Sequence, residues 1–246
     1  MENIIELHRV CKSFPKTNFA LDNVSFSIPY GSIMGFVGEN GAGKTTTISC
    51  ILNTITKDSG TIKLFGKELS DADTELREKI GVVYDGDNFP SYWTAEQLSR
   101  VMQGLYTKWD NALFQKYLDD FKLLPKQKIR HYSRGMAMKL AIAAALSHHP
   151  QLLILDEATS GLDPIMRDEM LDIFLEFVQE EDHSILLSSH ITSDLDKVAD
   201  YITFIHDGRL IMTASKNDLL YHYAVMRCRE NQFLALDPDD ILAYRK

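Results

Sequence analysis

The chain has 246 residues, 45% of them hydrophobic, and a formal net charge of −9. That length suits one large α/β domain, or a domain with an inserted subdomain, around an ordinary apolar core. The acidic balance argues against a dedicated nucleic-acid surface, which carries a basic footprint, so no nucleic-acid partner is expected.

In chain order, Ile4 to Val10, Ala20 to Ile28 and Thr61 to Leu69 read as short strands bounded by turn residues. Asp22-Asn23 and Phe65-Gly66-Lys67 are the expected bends. Ile33 to Val37 is an apolar strand, followed by a glycine-rich loop and a helix from Thr45 to Leu52. Ile80 to Tyr84, Leu152 to Leu155 and Ser184 to Leu187 are further apolar strands. Met166, Met170, Phe174 and Phe177-Val178 recur three or four apart, as one face of a helix does. Strands alternating with helices predict a parallel sheet covered on both faces. Residues from about 87 to 148 lack a strong strand and are expected to form an inserted helical subdomain, its last helix ended by Pro150. Beyond Leu220, Tyr221 to Cys228 suits a strand and Asp239 to Tyr244 a short helix. This extension, 221–246, is either a dimer or regulatory appendage or simply packs on the domain of residues 1–220.

Cys11, Cys50 and Cys228 are odd in number and far apart, which predicts neither a metal site nor a disulfide framework and suits a reduced, cytosolic chain. The acidic opening does not read as a signal peptide, and no stretch nears the roughly 18 apolar residues of a membrane span. If the protein works at a membrane, another chain is expected to supply the spanning part.

Gly38-Glu39-Asn40-Gly41-Ala42-Gly43-Lys44-Thr45 fits G-x-x-x-x-G-K-[ST] between a strand and a helix. Such glycines let backbone N–H groups turn inward around phosphate oxygens, and the helix start adds its positive dipole end. Lys44 is expected to contact the β- and γ-phosphates and the Thr45 hydroxyl to ligate Mg²⁺, with Gly38, Asn40, Gly41, Gly43 and Thr46 completing the ATP cradle. Leu152 to Glu157 is an apolar strand ending in two carboxylates, which at the carboxyl edge of a parallel sheet face the ligand crevice. Asp156 suits the magnesium shell, and Glu157 can polarise an attacking water.

Further residues carry a family resemblance. Tyr132-Ser133-Arg134-Gly135-Met136 resembles the signature loop of the ATP-binding cassette (ABC) ATPases. Ser160-Gly161-Leu162-Asp163 resembles their D-loop, and Ser188-Ser189-His190 their switch-histidine segment. The resemblance runs from about Ile5 to Leu220. It implies an α/β phosphate-loop NTPase core with a parallel sheet, an N-terminal antiparallel β subdomain and an inserted helical subdomain. It also implies that two cassettes pair head to tail, so that Ser133 and Gly135 of one cap the γ-phosphate held by the other. Asp163 joins this ATP site, and His190 contacts the γ-phosphate and helps hold the attacking water. Of the other histidines, His8, His131, His148, His149, His183, His206 and His222 read as ordinary surface or core residues.

The chain departs from the family pattern in places. Phe14 stands where a tyrosine often stacks on adenine; its ring either serves that role or belongs to the core. Asp85 stands where a glutamine usually touches Mg²⁺ and the membrane partner, and a carboxylate there can ligate magnesium. Arg134 replaces a glycine and either adds positive charge near phosphate or points to solvent. Thr107-Lys108-Trp109-Asp110 matches the guanine-reading T-K-x-D pattern but precedes the acidic strand, so ATP is favoured over GTP.

The resemblance implies the ATPase motor subunit of an ABC exporter, similar to single-cassette ATPases of bacterial drug, antimicrobial-peptide and peptide-toxin exporters. Its expected partners are a membrane-spanning permease subunit and a second ATPase subunit, a further copy of this chain. The expected location is the cytoplasmic face of the membrane. The alternative is a soluble ABC ATPase acting on ribosomes or DNA, but the chain has neither the long coiled-coil insertion nor the paired cassettes of those classes.

Overall fold

The structure, a computed structural model, describes residues 2–15, 19–70, 72–222 and 228–233. The chain divides into two compact units, residues 1–216 and 217–246. In the first, the described strands are β1 (Asn3–Ser13), β2 (Ala20–Pro29), β3 (Ile33–Val37), β4 (Ser59–Leu64), β5 (Ile80–Val83), β6 (Leu152–Asp156), β7 (Ser184–Ser189), β8 (Tyr201–His206) and β9 (Arg209–Ser215). Its helices are α1 (Lys44–Ile51), α2 (Thr74–Glu78), α3 (Ala95–Leu105), α4 (Asn111–Asp120), α5 (Arg134–Leu146), α6 (Pro164–Phe177) and α7 (Thr192–Val198).

Alternation along the early strands makes a half-buried antiparallel sheet, ordered β2-β1-β4, in which Leu7 sits opposite Phe26 and Ile62. The strand expected to reach Leu69 stops at Leu64, because Phe65 (φ 53°) and Gly66 (φ 76°) turn the chain. The bend expected at Asp22-Asn23 lies inside β2. Asn23 has φ 53° there, beside an irregularity in the β1–β2 register.

The second sheet runs β5-β6-β7-β3-β8-β9, parallel except for the edge strand β9. β3, β6 and β7 are buried at every position, as continuous apolar runs in a doubly covered sheet should be. Alternate residues serve two cores. Met34, Phe36, Ile154 and Leu186 pack with the antiparallel sheet and α1, whereas Ile33, Val37, Leu155 and Leu187 pack with Met138, Ile142, Met170 and Phe174 of α5 and α6. The hairpin β8–β9 was not anticipated. Its two-residue Asp207-Gly208 turn has positive φ at both positions, which is the strongest short-range hairpin signal a sequence carries.

The helical insertion has a core of its own: Leu98 of α3, Phe114 and Leu118 of α4, Leu123, and Leu140, Ala143 and Ala144 of α5. The helix α5 stops before Pro150. Ser147 bonds back to Ala143 O, and His149 adopts φ 55°. In the T-K-x-D stretch, Thr107 binds Glu78 and Asp110 caps α4 through Leu113 N, so both serve the local fold. At the end of the chain, α8 (Lys216–His222) takes in Tyr221 and His222 as helix, not strand, and α9 (Glu230–Phe233) follows. Residues 223–227 and the expected helix from Asp239 to Tyr244 lie outside the described residues.

Candidate nucleotide site

The order β6-β7-β3 brings three strand ends side by side, and each opens into a functional loop. After β3, Gly38 meets β8 so closely that a Cβ would lie 2.5 Å from Ile205 O. Gly43, the N-cap of α1, has φ 117°, a conformation that favours glycine. The loop therefore delivers α1 end-on, with first-turn N–H groups that no helical carbonyl can satisfy. Asn40, Gly41 and Thr45 are exposed on it, and Thr46 is half-buried.

Lys44 is only 5% exposed. Its Nζ donates to Gly38 O at 2.6 Å and Glu39 O at 3.2 Å, and lies 3.0 Å from Glu157 Oε1. The Glu157 contact has ion-pair but not hydrogen-bond geometry, which leaves Oε1 buried without a hydrogen bond. Its other oxygen, Oε2, lies 2.7 Å from His190 Nδ1. Thr45 Oγ1 donates to Asp156 Oδ2 at 2.8 Å. Lys44, Thr45, Asp156, Glu157 and His190 thus form one connected cluster, with the last three at the ends of β6 and β7.

Sequence reasoning placed Ser188, the buried last-but-one residue of β7, in the switch-histidine segment but gave it no role of its own. Its hydroxyl donates to Asp156 Oδ1 at 2.6 Å and accepts from Glu157 N at 3.0 Å. A serine that directly follows the apolar run Ile185 to Leu187, at the carboxyl end of a buried strand, was the available signal. Asp58 was missed too. Its Oδ2 accepts from Ser13 N and Ser13 Oγ, and Oδ1 accepts from Lys12, which pins the end of β1 next to Phe14. Those Ser13 bonds, with Lys12, hold the Asp58 carboxyl down at about 2. Phe14 itself is half-buried, 6.4 Å from the Phe19 ring, with Lys12 Nζ 5.6 Å from its centroid.

The remaining expected residues gather at the starts of α5 and α6. Ser133 caps α5 by accepting from Met136 N, and Asp163 caps α6 by accepting from Met166 N. Gly135 packs on Met166, whose Cε would lie 2.2 Å from an added Cβ. Asp85 does not join Thr45 and Asp156 in the hydrogen-bonded cluster; its carboxylate accepts from Arg134 Nη2 at 2.6 Å.

The residues present fit a triphosphate with a divalent cation. Lys44, a buried ammonium, is ringed by oxygens of the kind a phosphate presents. Thr45 and Asp156 supply a hydroxyl and a carboxylate, the hard donors that Mg²⁺ shares with phosphate oxygens. Among the described residues no group of three or more His, Cys, Asp and Glu could hold a metal without such a ligand. Beside Thr45 and Asp156, Glu157 and His190 set a carboxylate against an imidazole, an arrangement that can serve as a base with an orienting partner.

Comparison with known proteins agrees with this geometry. Residues 21–160 match the family model described as ABC transporter. The chain is 35% identical over 216 residues to the bacitracin transport ATP-binding protein BcrA of Bacillus licheniformis, covering 86% of this chain and 69% of that protein. It is 34% identical over 211 residues to the lantibiotic transport ATP-binding protein SrtF of Streptococcus pyogenes, covering 85% and 90%. Among solved structures, an ATP-binding subunit of an ABC transporter superposes with a TM-score of 0.81 at 25% identity, covering 94% of this chain and 98% of that one.

Proposed function

The chain belongs to the ABC transporter family as an ATP-binding, ATP-hydrolysing subunit, and on that premise we propose that it drives a bacterial exporter of peptide or drug cargo. The observation that carries the motor role is the linked cluster Lys44–Glu157–His190 beside Thr45–Asp156, at three adjacent strand ends. The peptide cargo is favoured by the named functions of two similar proteins, bacitracin and lantibiotic transport.

In this reading Lys44 moves from the backbone oxygens of Gly38 and Glu39 to phosphate, and the N–H groups of Gly41, Gly43 and Thr46 share that contact. Thr45 and Asp156 hold Mg²⁺, which when bound neutralises developing charge on the phosphoryl group. Glu157 Oε2 takes a proton from the attacking water, and His190 orients that carboxylate. Phe14 offers a π face to adenine, a contact worth roughly 1–3 kcal/mol in nucleic-acid binders. Ser133, Gly135 and Asp163 act across a head-to-tail dimer with a second copy of the chain.

No described helix is long and apolar enough to cross a membrane. The proposed partner is a membrane-spanning permease that holds the chain at the cytoplasmic face. Residues 1–220 form the ATPase domain, and 221–246 an extension. Nucleotide couples to transport because it stabilises the closed dimer over the open one.

The test is Glu157→Gln. That variant is expected to bind Mg-ATP, to lose roughly 10²–10⁴-fold in turnover and to accumulate as a dimer on size-exclusion chromatography. Turnover at the wild-type rate refutes the assigned base. Gentle-detergent purification tests the exporter: a stoichiometric multi-spanning protein should co-purify, whereas ribosomes or DNA alone would overturn it.

A further inference from the structure

Two positions at which this sequence departs from the family pattern are bonded to each other. Arg134 Nη2 donates to Asp85 Oδ1 at 2.6 Å, across 49 residues of chain. We infer that Arg134 and Asp85 are a positioning pair that sets how the Ser133–Gly135 end of α5 meets the nucleotide held by a partner cassette. The inference rests on the dimeric reading above.

Each side of the pair is held in place independently. Asp85 lies in the loop after β5, which Asn88 clasps: its Oδ1 accepts from Tyr84 N, and its Nδ2 donates to Tyr84 O and Gly86 O. Arg134 is the first residue of α5, between Ser133 and Gly135. Its guanidinium lies across Gly161, where a Cβ would come within 2.9 Å of Cζ and Nη1, and where φ is +69°. One side chain therefore joins the start of α5 to two loops, the one after β5 and the one before α6.

The charges explain why the departures come together. A cation at the first position of a helix opposes the positive end of the macrodipole. An anion beside it relieves that conflict, and Asp85 supplies one where a glutamine would not. A glycine at 134 would in turn leave Asp85 unpaired. Both side chains are about half exposed, 51% and 47%, so the pair adds little to global stability. Its effect lies in where it holds the start of α5. Engaged in this way, Asp85 is a positioning residue and not a magnesium ligand.

The experiment is a charge swap in the full-length chain, read by steady-state ATPase kinetics and by ATP-driven dimerisation in a Glu157→Gln background. Asp85→Asn and Arg134→Gln should each raise KM for ATP roughly three- to tenfold, leave kcat within about twofold and weaken the dimer, with melting temperature unchanged. Arg134→Lys should recover part of the loss. The double variant Asp85→Arg with Arg134→Asp should return KM to within about twofold of wild type. A swap as poor as the two single changes multiplied together overturns the pairing. A rise in the Mg²⁺ requirement with Asp85→Asn, but not with Arg134→Gln, overturns it in favour of metal ligation. If instead Glu157→Gln forms no dimer with ATP while Asp85 and Arg134 are intact, it is the dimeric reading underneath that fails.

Discussion

Ser188 stands between the two strand-end carboxylate residues, donating to Asp156 Oδ1 at 2.6 Å while its hydroxyl accepts from Glu157 N at 3.0 Å. One fully buried hydroxyl thereby fixes both the carboxylate beside Thr45 and the backbone that launches Glu157. Ser188→Ala should lower ATP turnover roughly tenfold, a rise of about 1.4 kcal/mol in the barrier. It should also destabilise the fold by about 1–3 kcal/mol, because a buried carboxylate oxygen loses its donor. Steady-state kinetics and urea melts together check both effects.

Lys44 holds its place through oxygens alone, two from backbone and one from Glu157. Charge-assisted hydrogen bonds contribute roughly 1.5–3 kcal/mol each. Lys44→Ala should therefore weaken Mg-ATP binding by about 10- to 150-fold for each hydrogen bond that the ammonium gives to phosphate. Titration calorimetry measures it, and an unchanged affinity would rule out the phosphate-loop assignment.

His190 reaches Glu157 Oε2 at 2.7 Å from a side chain that is 45% exposed, so its removal leaves the core intact. His190→Ala should reduce kcat by about 100-fold while ATP affinity and melting temperature stay near wild type. A drop in stability in place of turnover would mark it as structural.

His148 gives a pH signature that is separate from catalysis. It is 2% exposed, stacked 4.1 Å from Tyr106, with Nδ1 3.0 Å from Glu78 O, and burial depresses its pKa to about 4. The unfolded chain protonates this ring near 6.5 and the folded one only near 4, so the unfolded state binds more protons between those values. Its contribution is complete above about pH 6.5 and is lost as pH falls toward 4. Between about pH 7 and pH 5 this amounts to about 2 kcal/mol. Denaturant melts across that range should show a steeper decline for the wild type than for His148→Phe, whose ring can keep the stack but cannot titrate.

Much of the site was legible because its chemistry is local in sequence. The phosphate loop, the Asp156-Glu157 strand end and His190 each follow an apolar run, and the parallel sheet brings those runs together at one edge. What was not legible depends on non-local partners. Ser188 reads as part of a strand until Asp156 is placed beside it. Asp58 gains meaning only when β4 pairs with β1 and brings it to Ser13. The hairpin β8–β9 carried its signal in Asp207-Gly208, but its half-exposed strands lack the long apolar runs that marked β3 and β6. Asp85 reads as a metal ligand from its sequence position alone, whereas the structure pairs it with Arg134. Its bond to Arg134 depends on how the helical insertion folds back, which no local pattern encodes.

Glu157 has φ 54°, in the left-handed region that L residues other than asparagine and aspartate rarely adopt. Holding a side chain there costs about 1–2 kcal/mol, and the Ser188 contacts on one side and the Ser160 N to Glu157 O turn on the other keep it in place. Glycine would rest there without strain. That relief is smaller than the roughly 3–5 kcal/mol lost when the buried Lys44 ammonium is stripped of its carboxylate partner, so in the resting site durability and turnover ask for the same residue.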